Sequence, residues 1–159
     1  DYEFPEFPDD STIFAQLDRT TGAVVAHPAS GDWSLPAGLP IQGFITQGFK
    51  VAEGGNYHPG IDIACAVGTP VLATASGVVE HIGYDSTYGH MVVVQHNDSV
   101  ATVYAHNSEI LVQEGQGVMV GARVANSGNS GKSTAPHLHY EIRINGEPIN
   151  PLDNPYEEN

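Results

Sequence analysis

The run His137-Leu138-His139-Tyr140-Glu141-Ile142-Arg143-Ile144, ending at Asn145-Gly146, decides how the chain is read. Aromatic and β-branched residues fill it, and Asn-Gly is a strong hairpin turn, so the run predicts a β-strand. Side chains two apart on a strand share a face. His137 and His139 then project together, about 7 Å apart at Cα for a rise of about 3.4 Å per residue. One imidazole can bind a metal while the other touches a water or substrate beside it. Glu141 lies on the same face and reads as an exposed strand carboxylate, with support of a metal ligand as the alternative. A lone His-x-His also arises as two half-exposed polar residues, so the upstream sequence has to decide.

Working outward, residues from 39 onward form short β runs separated by Gly, Asn, Asp and Pro: 41–49, 60–65, 70–75, 77–84, 90–96, 101–106, 117–124 and 137–144. Tight turns at 85–89 and Asn97-Asp98 join neighbours, and no helical period follows residue 40. This spacing predicts a mainly β, antiparallel domain. Residues 1–35 differ. The first ten are acidic, with Pro5 and Pro8 among Tyr2, Phe4 and Phe7, which reads as a linker or a strap over a domain surface. Residues 12–17 predict a turn of helix, 23–26 a short strand, and 28–40 a loop. Gly131-Lys132-Ser133 invites a phosphate-loop reading, but that pattern needs Gly at 126, which is Asn, and a following helix. Residues 126–134 read instead as a small-residue loop on the rim of the site.

A chain of 159 residues suits one globular domain with tails. Five Lys and Arg against 19 Asp and Glu give a net charge of −14, with a pI of about 4.6. Such a surface repels phosphate backbones and anionic lipid, which argues against nucleic-acid and membrane-surface binding. The one cysteine, Cys65, sits in an apolar run and reads as a core filler. Cysteine usage this low suits the cytoplasm and a disulfide-free bacterial envelope alike. No apolar run reaches the roughly 18 residues of a membrane span, and a chain opening on Asp1 is expected to be a mature or trimmed fragment.

Two further anchors accompany the His-x-His strand. In His58-Pro59-Gly60-Ile61-Asp62 an imidazole and a carboxylate can reach one ion if the backbone turns at Pro59-Gly60, and both suit zinc. His106 closes the run Ala101-Thr102-Val103-Tyr104-Ala105-His106, whose alternation predicts Tyr104 and His106 on one face and His106 at the strand end. His27, His81, His90 and His96 fit no ligand pattern and read as surface or turn residues. Asn56, Tyr57 and Tyr88 are candidates to line the cleft, and Tyr104 to pack beneath His106.

Taken in order and spacing, His58-Pro59-Gly60-Ile61-Asp62, Tyr104-Ala105-His106 and His137-Leu138-His139 resemble the motifs of lysostaphin-type (LytM-domain) zinc metallopeptidases, which are peptidoglycan hydrolases. Flanking stretches agree, among them Val67-Gly68-Thr69-Pro70-Val71, Tyr88-Gly89-His90 and residues 127–134. The resemblance implies an open antiparallel sheet with a shallow groove over residues 38–152, a linker or strap at 1–37 and a tail at 153–159. It further implies one zinc ion per chain held by His58, Asp62 and His139, with His106 and His137 as catalytic histidines that are not ligands. Zinc would activate a water and polarise a carbonyl while imidazoles move the proton and stabilise the oxyanion. No His-Glu-x-x-His helix supplies a carboxylate base. Asn107 departs from the leucine common after the Tyr-x-His motif, which bears on packing beneath the site.

The implied activity is hydrolysis of peptide bonds in bacterial peptidoglycan stem peptides or cross-links. The chain would be a soluble piece of a membrane-anchored or secreted envelope protein, acting in the periplasm or outside the cell, with no nucleic-acid partner. With no wall-targeting module in the chain, a D-alanyl-diaminopimelate link is the expected target rather than a glycine bridge. Relatives that have lost zinc ligands instead bind peptidoglycan and activate other hydrolases; the presence of all five positions favours the enzyme. A latent enzyme, with residues 1–40 across the groove, is a third reading. Because imidazole must be neutral to bind zinc, occupancy is expected to fall below about pH 6.

Overall fold

The computed structural model describes residues 34–51 and 57–153, and the backbone of two short stretches upstream. These two, β1 (Ala15–Leu17) and β2 (Val24–Ala26), pair antiparallel with each other. The helical turn expected at 12–17 is therefore corrected over Ala15–Leu17, where a partner strand offers a hydrogen-bond ladder that one isolated helical turn cannot match. His27 and Asn56 lie outside the described residues.

Ten strands build the main sheet: β3 (Phe44–Gln47), β4 (Ile61–Ala64), β5 (Pro70–Leu72), β6 (Gly77–Asp85), β7 (Gly89–Gln95), β8 (Val100–Ile110), β9 (Gly117–Val118), β10 (Arg123–Ser127), β11 (His137–Ile144) and β12 (Glu147–Ile149). The order along it is β3-β4-β11-β8-β7-β6-β9, with β10 joining β8 to β5 and β12 added to β11. Every pairing is antiparallel. The sheet is open, as expected, and the only helical element among the described residues is a 3-10 turn at Pro151–Asp153.

Several boundaries differ from the sequence reading. The run at 41–49 contracts to four residues, and the run at 117–124 is cut by a turn in which the Ala122 amide donates to the Met119 carbonyl. β10 takes the first two residues of the loop expected at 126–134. β8 does not end at His106 but runs on to Ile110, because β10 supplies partners beyond it. Asn145 and Gly146 take positive φ, 53° and 82°, and turn the chain into β12, a strand absent from the sequence reading.

Alternation along β11 divides the sheet into a core side and a site side. Leu138, Tyr140 and Ile142 are almost wholly buried and pack with Ile61 and Ile63 of β4 and Val92 and Val94 of β7. Each such side chain contributes about 1.5–3 kcal/mol through burial. Tyr104 pairs with Tyr140 across the β8–β11 ladder, their rings 5.5 Å apart. Cys65 is half-buried and packs against this core.

The core also carries a chain of polar groups. Thr74 Oγ1 meets the Tyr140 hydroxyl at 2.7 Å and the Tyr104 hydroxyl at 3.3 Å, and Thr102 Oγ1 connects Tyr104 to His96 Nε2. His96 Nδ1–H donates to the Ser76 carbonyl at 2.9 Å. His96 was expected at the surface, yet it is buried, because both ring nitrogens find partners inside. His81 and His90 are exposed, as expected.

Burial lowers the His96 pKa from 6.5 to about 4, against the pull of the Ser76 carbonyl. A folded-state pKa below the unfolded one gives stability that is complete above pH 6.5 and is lost as pH falls toward 4, in total about 3 kcal/mol. Thermal unfolding of His96→Gln should therefore lose part of the acid sensitivity that the unmodified chain shows between pH 6.5 and 4. Parallel pH profiles for the two proteins would contradict this assignment.

Candidate metal centre

Strand register sets the centre of the site. Asp62 of β4 lies opposite His139 of β11, which lies opposite Ala105 of β8. Directly opposed residues on one face of an antiparallel pair bring their Cβ atoms to about 4.5–5.5 Å, so the carboxylate and imidazole must meet. His139 Nδ1 stands 2.8 Å from Asp62 Oδ1.

His58 precedes β4 and is held by a bridge to Lys50, each backbone amide donating to the other's carbonyl at 3.0 Å. Its Nδ1–H donates to the Gly48 carbonyl at 2.9 Å, which leaves Nε2 to face Asp62 Oδ1 at 3.3 Å. Gly60 is needed here for close approach and not for an unusual φ. A Cβ at Gly60 would stand 2.2 Å from the Tyr140 carbonyl oxygen and 2.9 Å from Glu141 Cγ. Donor atoms of His58, Asp62 and His139 all lie within 4.8 Å of one another, a group able to hold one metal ion.

His106 reaches the same side of the sheet by a local break. The sequence reading put His106 on one face with Tyr104, which by regular alternation is the core side, opposite Ala105. The φ of His106 is 66°, a left-handed conformation that costs a non-glycine residue roughly 1–2 kcal/mol. The shift falls where β8 slips by a residue against β7. His106 therefore faces His137, ring centroids 4.7 Å apart, while Tyr104 points its hydroxyl into the core. The kink is fixed by the His106 amide donating to the Tyr88 carbonyl and by His106 Nδ1–H donating to the Ser130 carbonyl at 2.7 Å. Asn107, next along, is fully buried and donates to the carbonyls of His90 and Tyr104.

His137 sits one alternate position from His139. Its Nδ1–H donates to the Ala135 carbonyl at 2.8 Å, with Ser133 Oγ 3.0 Å away, and its Nε2 lies 3.6 Å from Asp62 Oδ1. All five histidine and aspartate positions singled out in the sequence thus converge.

Glu141 corrects the sequence reading of an exposed carboxylate: it is completely buried, because three donors satisfy it. Oε2 accepts from His139 Nε2 at 2.8 Å and from the Tyr88 hydroxyl at 2.7 Å, and Oε1 accepts from Arg143 Nε at 2.6 Å. Tyr88 is therefore half-buried against the carboxylate, whereas Tyr57 stays exposed. Sequence reasoning did not find Arg143 or Ser130. The signal for Arg143 was present, since 139, 141 and 143 alternate onto one face; the role of Ser130 rests on a backbone carbonyl that no side-chain pattern reports.

These contacts set the charges. Burial alone would lower the His139 pKa, but the bonds to Asp62 and Glu141 lift it to about 9. Asp62 and Glu141 are held low despite burial, first by their bonds to His139. His106 is shifted down by burial and by the neighbouring His137 and His139, against the Ser130 carbonyl. The donor chemistry fits zinc: two imidazoles locked by outer partners and one carboxylate, their donor atoms within 4.8 Å of one another.

An open antiparallel sheet bearing a His-Asp-His donor set beside two further imidazoles has the layout of a metallopeptidase domain. Residues 56–151 match Peptidase family M23, and the chain belongs to that family, in its LytM-type branch. It is 47% identical over 95 residues, 60% of this chain and 22% of the relative, to the DD-carboxypeptidase/endopeptidase Mpg of Neisseria meningitidis serogroup B. It is 41% identical over 114 residues, 71% of this chain and 29% of the relative, to the murein hydrolase activator NlpD of Escherichia coli. The catalytic domain of the prophage-encoded M23 protein EnpA from Enterococcus faecalis, solved in a mutant form, is similar in structure. The TM-score is 0.65 at 34% identity, covering 72% of this chain and 95% of that one. The chain spans between 20% and 41% of the length of the curated relatives it matches.

As long as no cation lies between them, Asp62 and Glu141 keep His139 protonated at neutral pH, so an incoming ion must displace that proton. Zinc binding at pH 7–8 should release at least one proton per ion, that of His139 together with any lost by a coordinated water, read by calorimetry in buffers of different ionisation enthalpy. Affinity should already decline with falling pH above the value of about 6 expected from an unperturbed imidazole. Heats independent of the buffer would contradict the proton competition.

Proposed function

We propose that this chain is a zinc-dependent endopeptidase that cleaves peptide bonds in bacterial peptidoglycan, in the stem peptides or their cross-links, within the cell envelope. His58 Nε2, Asp62 and His139 Nδ1 would hold one zinc ion, which when bound lowers the pKa of a coordinated water and polarises a peptide carbonyl. The observation that carries the reading is the fixed tautomer of the two other imidazoles. Both His106 and His137 donate Nδ1–H to backbone carbonyls, which leaves Nε2 unprotonated in the neutral ring.

His106 has its pKa shifted down by burial, so it is neutral at physiological pH and ready to accept a proton at Nε2. His137, its ring 4.7 Å from that of His106 and its Nε2 3.6 Å from Asp62 Oδ1, would hold or return a proton beside it. Residues 38–152 would form the catalytic unit and residues 1–37 a linker or strap to it. Support for the substrate class comes from relatives whose names describe a DD-carboxypeptidase/endopeptidase and a murein hydrolase activator.

The activator relative also favours a second reading, in which the domain binds peptidoglycan and stimulates another hydrolase without cutting. Metal content and soluble peptide release from isolated peptidoglycan, measured for the unmodified chain and His106→Ala, separate the two. The enzyme reading expects one zinc per chain in both proteins and a loss of about 10²- to 10⁴-fold in kcat/KM for the variant, the usual worth of a positioned acid–base group. Zinc without release from either protein would favour the activator. No zinc in the unmodified chain would contradict the proposed donor set.

A further inference from the structure

We propose that Tyr88 is a positioning residue for the His139 donor, acting through Glu141 with Arg143 as the opposing clamp. The inference rests on the zinc reading above and assigns the site a tuning device on the side away from the ion. Glu141 Oε2 is shared between His139 Nε2–H and the Tyr88 hydroxyl, while Arg143 Nε occupies Oε1. The carboxylate is thereby held on both oxygens, and Arg143 also approaches the Tyr88 hydroxyl at 3.4 Å. With Glu141 immobile, the His139 ring can turn only one nitrogen toward Asp62, and that nitrogen is Nδ1.

Tyr88 is itself anchored in the β6–β7 turn, where Asp85 Oδ1 accepts from the amides of Thr87 and Tyr88 at 2.8 and 2.7 Å. The same turn holds the other half of the site, since the Tyr88 carbonyl accepts the amide of His106 at 2.8 Å. Gly89 packs so closely on Ser130 that a Cβ there would stand 2.4 Å from Ser130 Oγ. One residue thus fixes a metal donor through its side chain and His106 through its backbone. Removing only the hydroxyl should disturb the first and leave the second in place.

The test is the zinc dissociation constant, read by competition with a chromophoric chelator at pH 7.5, for the unmodified chain, Tyr88→Phe, Glu141→Gln and the double variant. Tyr88→Phe should weaken zinc about 10-fold, at the low end of the 10- to 100-fold usual for residues behind a metal ligand. Glu141→Gln should weaken it at least as much, and the double variant no further than Glu141→Gln alone, because Tyr88 acts through that carboxylate. The metal-free Tyr88→Phe chain should be less stable yet still folded at the assay temperature by circular dichroism, so that the affinity loss is read on folded protein; a purely structural role would lower the unfolding temperature and leave the zinc dissociation constant of the folded chain unchanged. Should Tyr88→Phe fail to fold, Arg143→Lys, which removes the Nε donor to Oε1, must show a comparable loss. Equal zinc affinity in Tyr88→Phe, or losses that add in the double variant, would overturn the inference while leaving the zinc reading intact. Absence of zinc binding by the unmodified chain would overturn both.

Discussion

The structure depends on one row of cross-strand neighbours, Asp62–His139–Ala105, set by the register of β4, β11 and β8. A one-residue slip of β11 would send His137, His139 and Glu141 into the core and bring Leu138 and Tyr140 out. The apolar face therefore enforces the polar one. Burial of Leu138, Tyr140 and Ile142 against Ile61 and Ile63 locks the register that makes an imidazole and a carboxylate meet. Packing energy and site geometry are two sides of one ladder.

On that row the chain places more charge than a buried surface tolerates without compensation. His139 lies between two carboxylates, and Glu141 is fully buried yet satisfied by three donors. This is a buried network whose members cost stability singly and hold together only as a set. The arrangement suits a cation: Asp62 Oδ1, His58 Nε2 and His139 Nδ1 cluster together, while Glu141, Gly48, Ser130 and Ala135 take the outward N–H groups of the four imidazoles. Each outer partner fixes which nitrogen faces inward, so tautomer choice across the site is decided by backbone carbonyls and one carboxylate.

Much of this was legible in the sequence. The period of two along 137–144 gave the strand and the shared face of His137, His139 and Glu141, and the short β runs gave the antiparallel sheet. His58, Asp62, His106, His137 and His139 were singled out as a group, and the structure brings their side chains together. What the pattern could not report is whatever depends on tertiary partners. Glu141 and His96 read as exposed because burial of a polar side chain follows from donors contributed by distant segments, Tyr88 and Arg143 for one, Ser76 and Thr102 for the other. The facing of His106 was missed because it rests on a positive φ, held by Tyr88 and Ser130, that breaks the alternation. Ala15–Leu17 lacked any period that would tell a strand from a turn of helix, and only its pairing with Val24–Ala26 decides it.

The measurement that bears most directly on the account is anomalous diffraction at the zinc edge from crystals of the zinc-loaded chain. One peak is expected at about 2.0–2.2 Å from His58 Nε2, an Asp62 oxygen and His139 Nδ1, with His106 and His137 outside bonding distance. A peak bonded to His106 or His137 in place of one of those three donors, or no ordered ion at the site, would contradict it.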